Sequence, residues 1–208
     1  MNKKGKFIVF EGIDGSGKTT QARLLASALN ERGYRTHLTA EPTSLPTGKL
    51  LREALGGRIK KSECEMALMF VEDRIAHNKD EVEGIDALID EGVTVICDRY
   101  YYSTLAYQGQ STDYGWVKAM TLQCPDIRRP DRCISIDLLP EQSLERISKG
   151  RDSVEIYENV ETLTRVREQF LSVIRDLENT ENIRILDGYR AEKAIADDVF
   201  SAVSELFE

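Results

Sequence analysis

Short apolar runs alternate with longer stretches of helical period along this chain. Phe7-Ile8-Val9-Phe10 is an unbroken apolar run of strand length. Residues 18–32 follow with apolar positions at helical spacing, stopping at Gly33. Residues 36–40 read as a second strand, ended by Pro42. Ser62-Glu63-Cys64-Glu65 has the spacing of a capping box, in which hydroxyl and carboxylate each take one otherwise orphaned amide. A long helix is therefore predicted to open there and run through Phe70 and Arg74. Val93-Thr94-Val95-Ile96-Cys97, after Gly92, is the most β-prone run of the chain. Cys133-Ile134-Ser135-Ile136-Asp137 makes a fourth strand, and Pro140 begins a helix to about Lys149. Residues 160–179 are helical, 183–186 form a fifth strand, and 191–207 close with a helix. Strands that lack polar alternation must be buried on both faces, which a parallel sheet with helical crossovers provides. The prediction is one α/β domain over residues 1–208: a five-stranded parallel sheet with helices on both faces.

Composition narrows the partners. A chain of 208 residues is long enough for one well-buried domain. Its net charge of -8 opposes the broad basic surface that non-specific nucleic-acid binding needs, so no nucleic-acid partner is expected. A polyanionic ligand would need a local cluster of Lys and Arg inside a cleft. Cys64, Cys97, Cys124 and Cys133 show no CxxC spacing, and the only histidines are His37 and His77. A reduced, intracellular protein is the simplest reading, with Cys97 and Cys133 acting as small hydrophobes inside strands. No apolar run approaches membrane-spanning length, and only four apolar residues precede Glu11. The expected location is the cytoplasm, with no membrane partner.

The strongest chemical signal follows the first strand directly. Gly12-Ile13-Asp14-Gly15-Ser16-Gly17-Lys18-Thr19 matches the phosphate-loop pattern GxxxxGK[ST] and opens a helix, as the chemistry requires. Its glycines let successive backbone amides turn toward one anion, and the helix N-terminus adds its partial positive charge. Lys18 is placed to reach the β- and γ-phosphates of a nucleoside triphosphate, while the Thr19 hydroxyl is a Mg²⁺ ligand. A ligand-free Gly-rich turn is the alternative.

Beyond this loop the chain resembles the thymidylate kinase family, nearly end to end. The carrying segments are Phe10-Glu11-Gly12 through Lys18-Thr19-Thr20-Gln21, then Glu41-Pro42-Thr43, Met69-Phe70 with Arg74, and Asp98-Arg99-Tyr100. Ser103-Thr104-Leu105-Ala106-Tyr107-Gln108-Gly109 and Pro130-Asp131, leading to Ile136-Asp137, complete them. The phosphate loop alone marks only a superfamily; the Asp-Arg-Tyr and Ala-Tyr-Gln-Gly elements are far more specific. The resemblance implies a P-loop kinase-type three-layer fold with a short lid at about 146–158. It implies that ATP, held by residues 12–20 with Mg²⁺, phosphorylates dTMP for dTTP biosynthesis, in a homodimer.

The same resemblance distributes roles. Phe70 and Arg74 stand at i and i+4, on one helix face; the family's matching aromatic stacks on thymine and its Arg hydrogen-bonds the base. Arg99 contacts the acceptor phosphate and Asp98 lies near Mg²⁺. Ser103, Thr104, Tyr107 and Gln108 serve base contacts and exclusion of a ribose 2′-hydroxyl, with Tyr107 as the gate. Asp14 approaches the acceptor sugar, and Glu41 joins the acceptor site. Gly15 stands where some relatives carry a catalytic Arg, so the lid should supply the cation. Around Gly150, Arg151 is the first candidate and Lys149 the second, with Arg146 nearby.

Two departures stand out. The lid reads Glu155-Ile156-Tyr157-Glu158 where many members carry an Arg, and Ala40 precedes Glu41-Pro42 where many bacterial members have Arg. Arg52 is a candidate substitute for the second. The nearest rival is a deoxynucleoside kinase using Glu41 as base on a 5′-hydroxyl, although Asp98-Arg99-Tyr100 favours the nucleotide kinase. A degenerate, regulatory nucleotide-binding protein is the second rival; the guanine-specific motifs of a GTPase are absent.

Overall fold

The N-terminal apolar run becomes strand β1 (Phe7–Glu11), and every residue in it is buried. The structure, a computed structural model, describes residues 4–150 and 160–208. After β1 come α1 (Lys18–Asn30), β2 (Thr36–Ala40), α2 (Pro46–Leu55), α3 (Glu63–Lys79) and α4 (Ile85–Asp90). They are followed by β3 (Thr94–Asp98), α5 (Tyr101–Ser111), α6 (Tyr114–Leu122), β4 (Arg132–Asp137) and α7 (Pro140–Gly150). The chain ends with α8 (Val160–Leu177), β5 (Ile183–Asp187) and α9 (Glu192–Ser204).

The five strands form one parallel sheet in the order β2-β3-β1-β4-β5. Its two faces explain why β1 shows no polar alternation. Phe7 and Val9 pack with Val71 of α3, Leu105 of α5, Val117 of α6 and Phe170 of α8. Ile8 and Phe10 point the other way, against Leu25 of α1 and Val199 of α9. Removing both faces from water at about 25 cal/mol per Å² makes this strand the natural centre of the sheet.

Local signals mark most boundaries. The Ser62 hydroxyl accepts from the Glu65 amide at 3.2 Å while the Glu65 carboxylate accepts from the Ser62 amide at 2.8 Å, so the capping box opens α3 as predicted. α1 stops two residues early, because the Gly33 amide turns back to the Asn30 carbonyl at 2.9 Å. Helices α2, α4 and α6 were not forecast. With only six residues and two buried isoleucines, α4 is too short to display a helical period. All four cysteines are free, with Cys97 and Cys133 buried in β3 and β4. Among the described residues no helix is long and apolar enough to cross a membrane.

Strand order and register place the chemistry. β1 lies between β3 and β4, so crossovers leave it on opposite sides and a crevice opens beyond the carboxyl ends. Phe10 pairs with Asp98, which also pairs with Ala40 of β2. Hence the loop after β1, the Asp98-Arg99 turn and Glu41 all emerge at one edge.

Candidate active site

The loop after β1 takes its shape from tight approaches to its neighbours. Gly12 has φ +138°, and a β-carbon there would run into the carbonyl oxygen of Ile136. At Gly15 (φ +73°) a side chain would press on Ser143 and Ile147 of α7. This chain therefore has no room for the arginine that some relatives carry at that position. Helix α7 occupies the space and brings its own cation: Arg146 donates to the Gly188 carbonyl at 2.7 Å and reaches the Ser16 carbonyl at 3.4 Å.

Lys18, at the start of α1, folds back over the loop. Its ammonium donates to the carbonyls of Gly12 and Ile13 at 3.0 and 2.9 Å. Burial, with Arg99 nearby, pulls that ammonium down to about 8. Arriving phosphates would supply the counter-charge it lacks. The Thr19 hydroxyl donates to the Asp98 carboxylate, joining α1 to the end of β3. Asp14 through Gln21, Asp98, Arg99, Arg146 and Arg190 line a cleft of about 630 Å³. A polyanion of nucleotide size fits this volume and this chemistry.

Arg99 occupies the border of the cleft. Its guanidinium is paired with Asp14, donates to the Ser103 hydroxyl at 3.3 Å, and lies 5.7 Å from the centre of the Tyr107 ring. Burial disfavours the Arg99 charge, but Tyr107, Asp14, Glu11 and Asp98 around it outweigh that and hold it above the usual range.

Behind Arg99 lies a residue that the motif reading passed over. Glu11 accepts from the amides of Tyr100 and Ser103 at 2.7 and 3.1 Å and from the Ser103 hydroxyl at 2.6 Å. It is 1% exposed. The available signal was an acid ending an otherwise apolar strand, since such residues are almost never fully buried without partners.

Burial raises the Glu11 carboxyl to about 7. In the unfolded chain it titrates at its ordinary value of 4.5, so ionisation disfavours the fold. Stability from this group is present below that ordinary value and is lost as pH rises through about 7. The loss is on the order of 3 kcal/mol. Urea unfolding at pH 5 and pH 8 is expected to show wild type losing more stability than Glu11→Gln; equal losses would contradict the assignment.

The acceptor side is built from α3, α5 and the loop after β2. Arg74, 1% exposed, donates to Glu41 from Nε and Nη2 at 3.0 and 2.6 Å, and from Nη2 to Thr104 at 3.0 Å. Glu41 was expected to touch the acceptor. Instead it is 5% exposed and holds Arg74 with one oxygen and His77, at 3.0 Å, with the other. Asp73, also missed, anchors the same loop by accepting from the Thr43 amide and hydroxyl at 2.8 and 2.6 Å. Arg52 donates to the Pro42 and Thr43 carbonyls, each at 2.6 Å, so it braces the loop. Phe70, half-buried, packs with Leu51, Ala54 and Met69 at the α2–α3 contact.

Two buried polar atoms on this side have no protein partner: Arg74 Nη1 and Gln108 Oε1. Thr104, which Arg74 touches, and Gln108 are one turn apart on α5. A buried donor and a buried acceptor left unpaired point to a ligand that completes them. Arg151, the Lys149 side chain and residues 155–158 lie outside the described residues.

A profile of the thymidylate kinase family matches residues 10–199. A probable thymidylate kinase of Pyrococcus horikoshii is 39% identical over 208 residues, covering 96% of each chain. One from Methanococcus aeolicus is 44% identical over 172 residues, covering 82% of this chain and 80% of its own. The thymidylate kinase of Carboxydothermus hydrogenoformans is 39% identical over 202 residues, covering 92% and 93%. The solved thymidylate kinase of Candida albicans shares the fold, with a TM-score of 0.79 over 97% of this chain and 92% of its own at 24% identity. With a phosphate loop opening α1, Asp98 ending β3 with Arg99 directly after it, and relatives matching over nearly its whole length, the chain belongs to the thymidylate kinase family.

Proposed function

We propose that this chain transfers the γ-phosphate of Mg-ATP directly onto dTMP, giving ADP and dTDP for dTTP synthesis, with Arg99 at the junction of donor and acceptor. The observation that carries this reading is that Arg99 and Asp98 line the same cleft as the phosphate loop. The unpaired atoms on the acceptor side fit thymine. Arg74 Nη1 donates to its O4 carbonyl, Gln108 Oε1 accepts from N3–H, and Phe70 offers a face for the ring.

The donor set also suits Mg²⁺, which prefers oxygen ligands and keeps several waters. Thr19 and Asp98, already hydrogen-bonded together, would hold it against the ATP phosphates, where it neutralises developing charge. The remaining work belongs to side chains. An acceptor phosphate is already anionic, so no base is needed to deprotonate it, and alignment plus charge neutralisation suffice. Lys18 holds the transferring phosphate, Arg99 exchanges its Asp14 partner for the acceptor phosphate, and Asp14 turns toward the acceptor sugar. Arg146 supplies positive charge beside the loop, and the family resemblance adds Lys149 and Arg151 as the lid's cations. Family resemblance supports a cytoplasmic homodimer.

A deoxynucleoside kinase would need Glu41 to accept a proton from a 5′-hydroxyl. Its buried oxygens are held by Arg74 and His77, which argues against that role. A coupled ADP-release assay across nucleoside monophosphates, with thymidine alongside, decides the matter. Turnover is expected with dTMP and none with thymidine. Phosphorylation of thymidine alone overturns the proposal, and binding of ATP without acceptor-dependent ADP release favours a regulatory role.

A further inference from the structure

We propose that Glu11 is a positioning residue for phosphoryl transfer, fixing both the backbone and the side chain of Arg99 at the acceptor phosphate. The proposal rests on the reading of Arg99 given above. Among the described residues Arg99 is the one non-glycine with positive φ, at 69°. That conformation is unfavourable for an L-residue and persists only where the surroundings impose it.

The surroundings here are mostly β1. The Arg99 amide donates to the Phe10 carbonyl at 2.9 Å, and the next amide, of Tyr100, donates to Glu11 Oε1 at 2.7 Å. On the other side the Cys97 thiol donates to the Arg99 carbonyl at 3.0 Å. The peptides flanking Arg99 are thus tied down, two of the three contacts coming from consecutive residues of β1.

The side chain is governed through Ser103. Its hydroxyl proton is committed to Glu11 Oε2 at 2.6 Å, so its oxygen presents only lone pairs to other neighbours. Arg99 Nη1 donates into that oxygen at 3.3 Å. All three groups around Glu11 donate into its oxygens, so the ionised carboxylate, populated as pH rises through about 7, is the form that enforces this polarity: it accepts and never donates. A glutamine of the same shape turns an NH₂ toward Ser103 and competes with Arg99 for the same oxygen. Glu11 also sits at the N-terminus of α5, where negative charge and unpaired amides suit one another. A residue that merely caps α5 would do that much without touching catalysis, so the test must separate the two roles.

The experiment is a double-mutant cycle between Glu11→Gln and Arg99→Ala on the full-length enzyme, reading kcat and KM for dTMP and the Kd of a non-hydrolysable ATP analogue. In the wild-type background Glu11→Gln is expected to lower kcat/KM for dTMP by about 10- to 100-fold, with analogue affinity within about twofold. In the Arg99→Ala background the same change is expected to cost less than about twofold, because the group it positions is gone. Equal losses in both backgrounds, or no loss in wild type, overturn the role of Glu11 and leave Arg99 untouched. Near-normal turnover of Arg99→Ala overturns the reading of Arg99 and this proposal with it. Should Glu11→Gln fail to fold, Glu11→Asp, which keeps the charge but draws the carboxylate back from Ser103 and the Tyr100 amide, enters the same cycle. It is expected to lose about 3- to 10-fold in wild type and to be silent beside Arg99→Ala; additive losses overturn the proposal.

Discussion

Arg99→Ala is expected to lower kcat by about 10²- to 10³-fold while leaving ATP affinity within about twofold, a loss of about 3–4 kcal/mol of transition-state stabilisation. Charge spreads over the equatorial oxygens of a phosphoryl group in flight, and a forked cation between donor and acceptor meets it where it develops. The donor site should survive the change. Lys18 takes its position from the Gly12 and Ile13 carbonyls, and Thr19 from Asp98. Arg99 is among the influences that pull the Lys18 ammonium down, so its removal favours a charged Lys18. Arg99→Lys keeps the charge and loses the fork, and is expected to fall between alanine and wild type. Coupled ADP release measures kcat, and analogue titration measures the donor site. Near-normal turnover by the alanine variant would contradict the role given to Arg99.

How far this site was legible depends on the span of chain each contact bridges. The phosphate loop was readable because its geometry is local. Gly12 to Thr19 are contiguous, and a strand before them and a helix after them leave little choice of conformation. Asp98 and Arg99 were readable from their place at the end of an apolar strand. Glu41 was not, because what decides its role is Arg74 and His77, 33 and 36 residues away. Sequence spacing put Phe70 and Arg74 on one face of a helix, but nothing in that spacing says that two of Arg74's nitrogens are already engaged.

Arg146 shows the same limit from the other side. Its link to Ser16 spans 130 positions and exists because α7 lies over Gly15. The missing side chain at Gly15 points to a cation from elsewhere in the chain. Among the described residues, Arg146 is the α7 cation that reaches the loop, one turn nearer the start of that helix than Lys149. Arg52, offered as a substitute for a cation absent at Ala40, instead ties down the carbonyls of Pro42 and Thr43. A positive charge near a loop has two outlets, ligand or backbone carbonyl, and only packing chooses between them.

Arg74 puts that ambiguity to a quantitative test, since it is both a buried ion-pair partner and the proposed thymine donor. Arg74→Met is expected to destabilise the protein by about 3–5 kcal/mol, because the Glu41 carboxylate is left in the interior without its cation. Burial opposes the Arg74 charge, and Glu41 holds the guanidinium above its usual range, so each group depends on the other. Adding Glu41→Gln removes the stranded charge, and the double variant is expected to recover more than half of the lost stability. Binding should not follow. The donor at Nη1 is missing from both variants, so KM for dTMP is expected to stay raised by about 10- to 100-fold, the worth of one hydrogen bond from a charged group. Urea midpoints at constant m measure the first effect, and steady-state kinetics the second. If stability and dTMP affinity return together, Arg74 acts on the acceptor only by holding α3 and the loop after β2 in place, and the thymine contact must be assigned to another side chain.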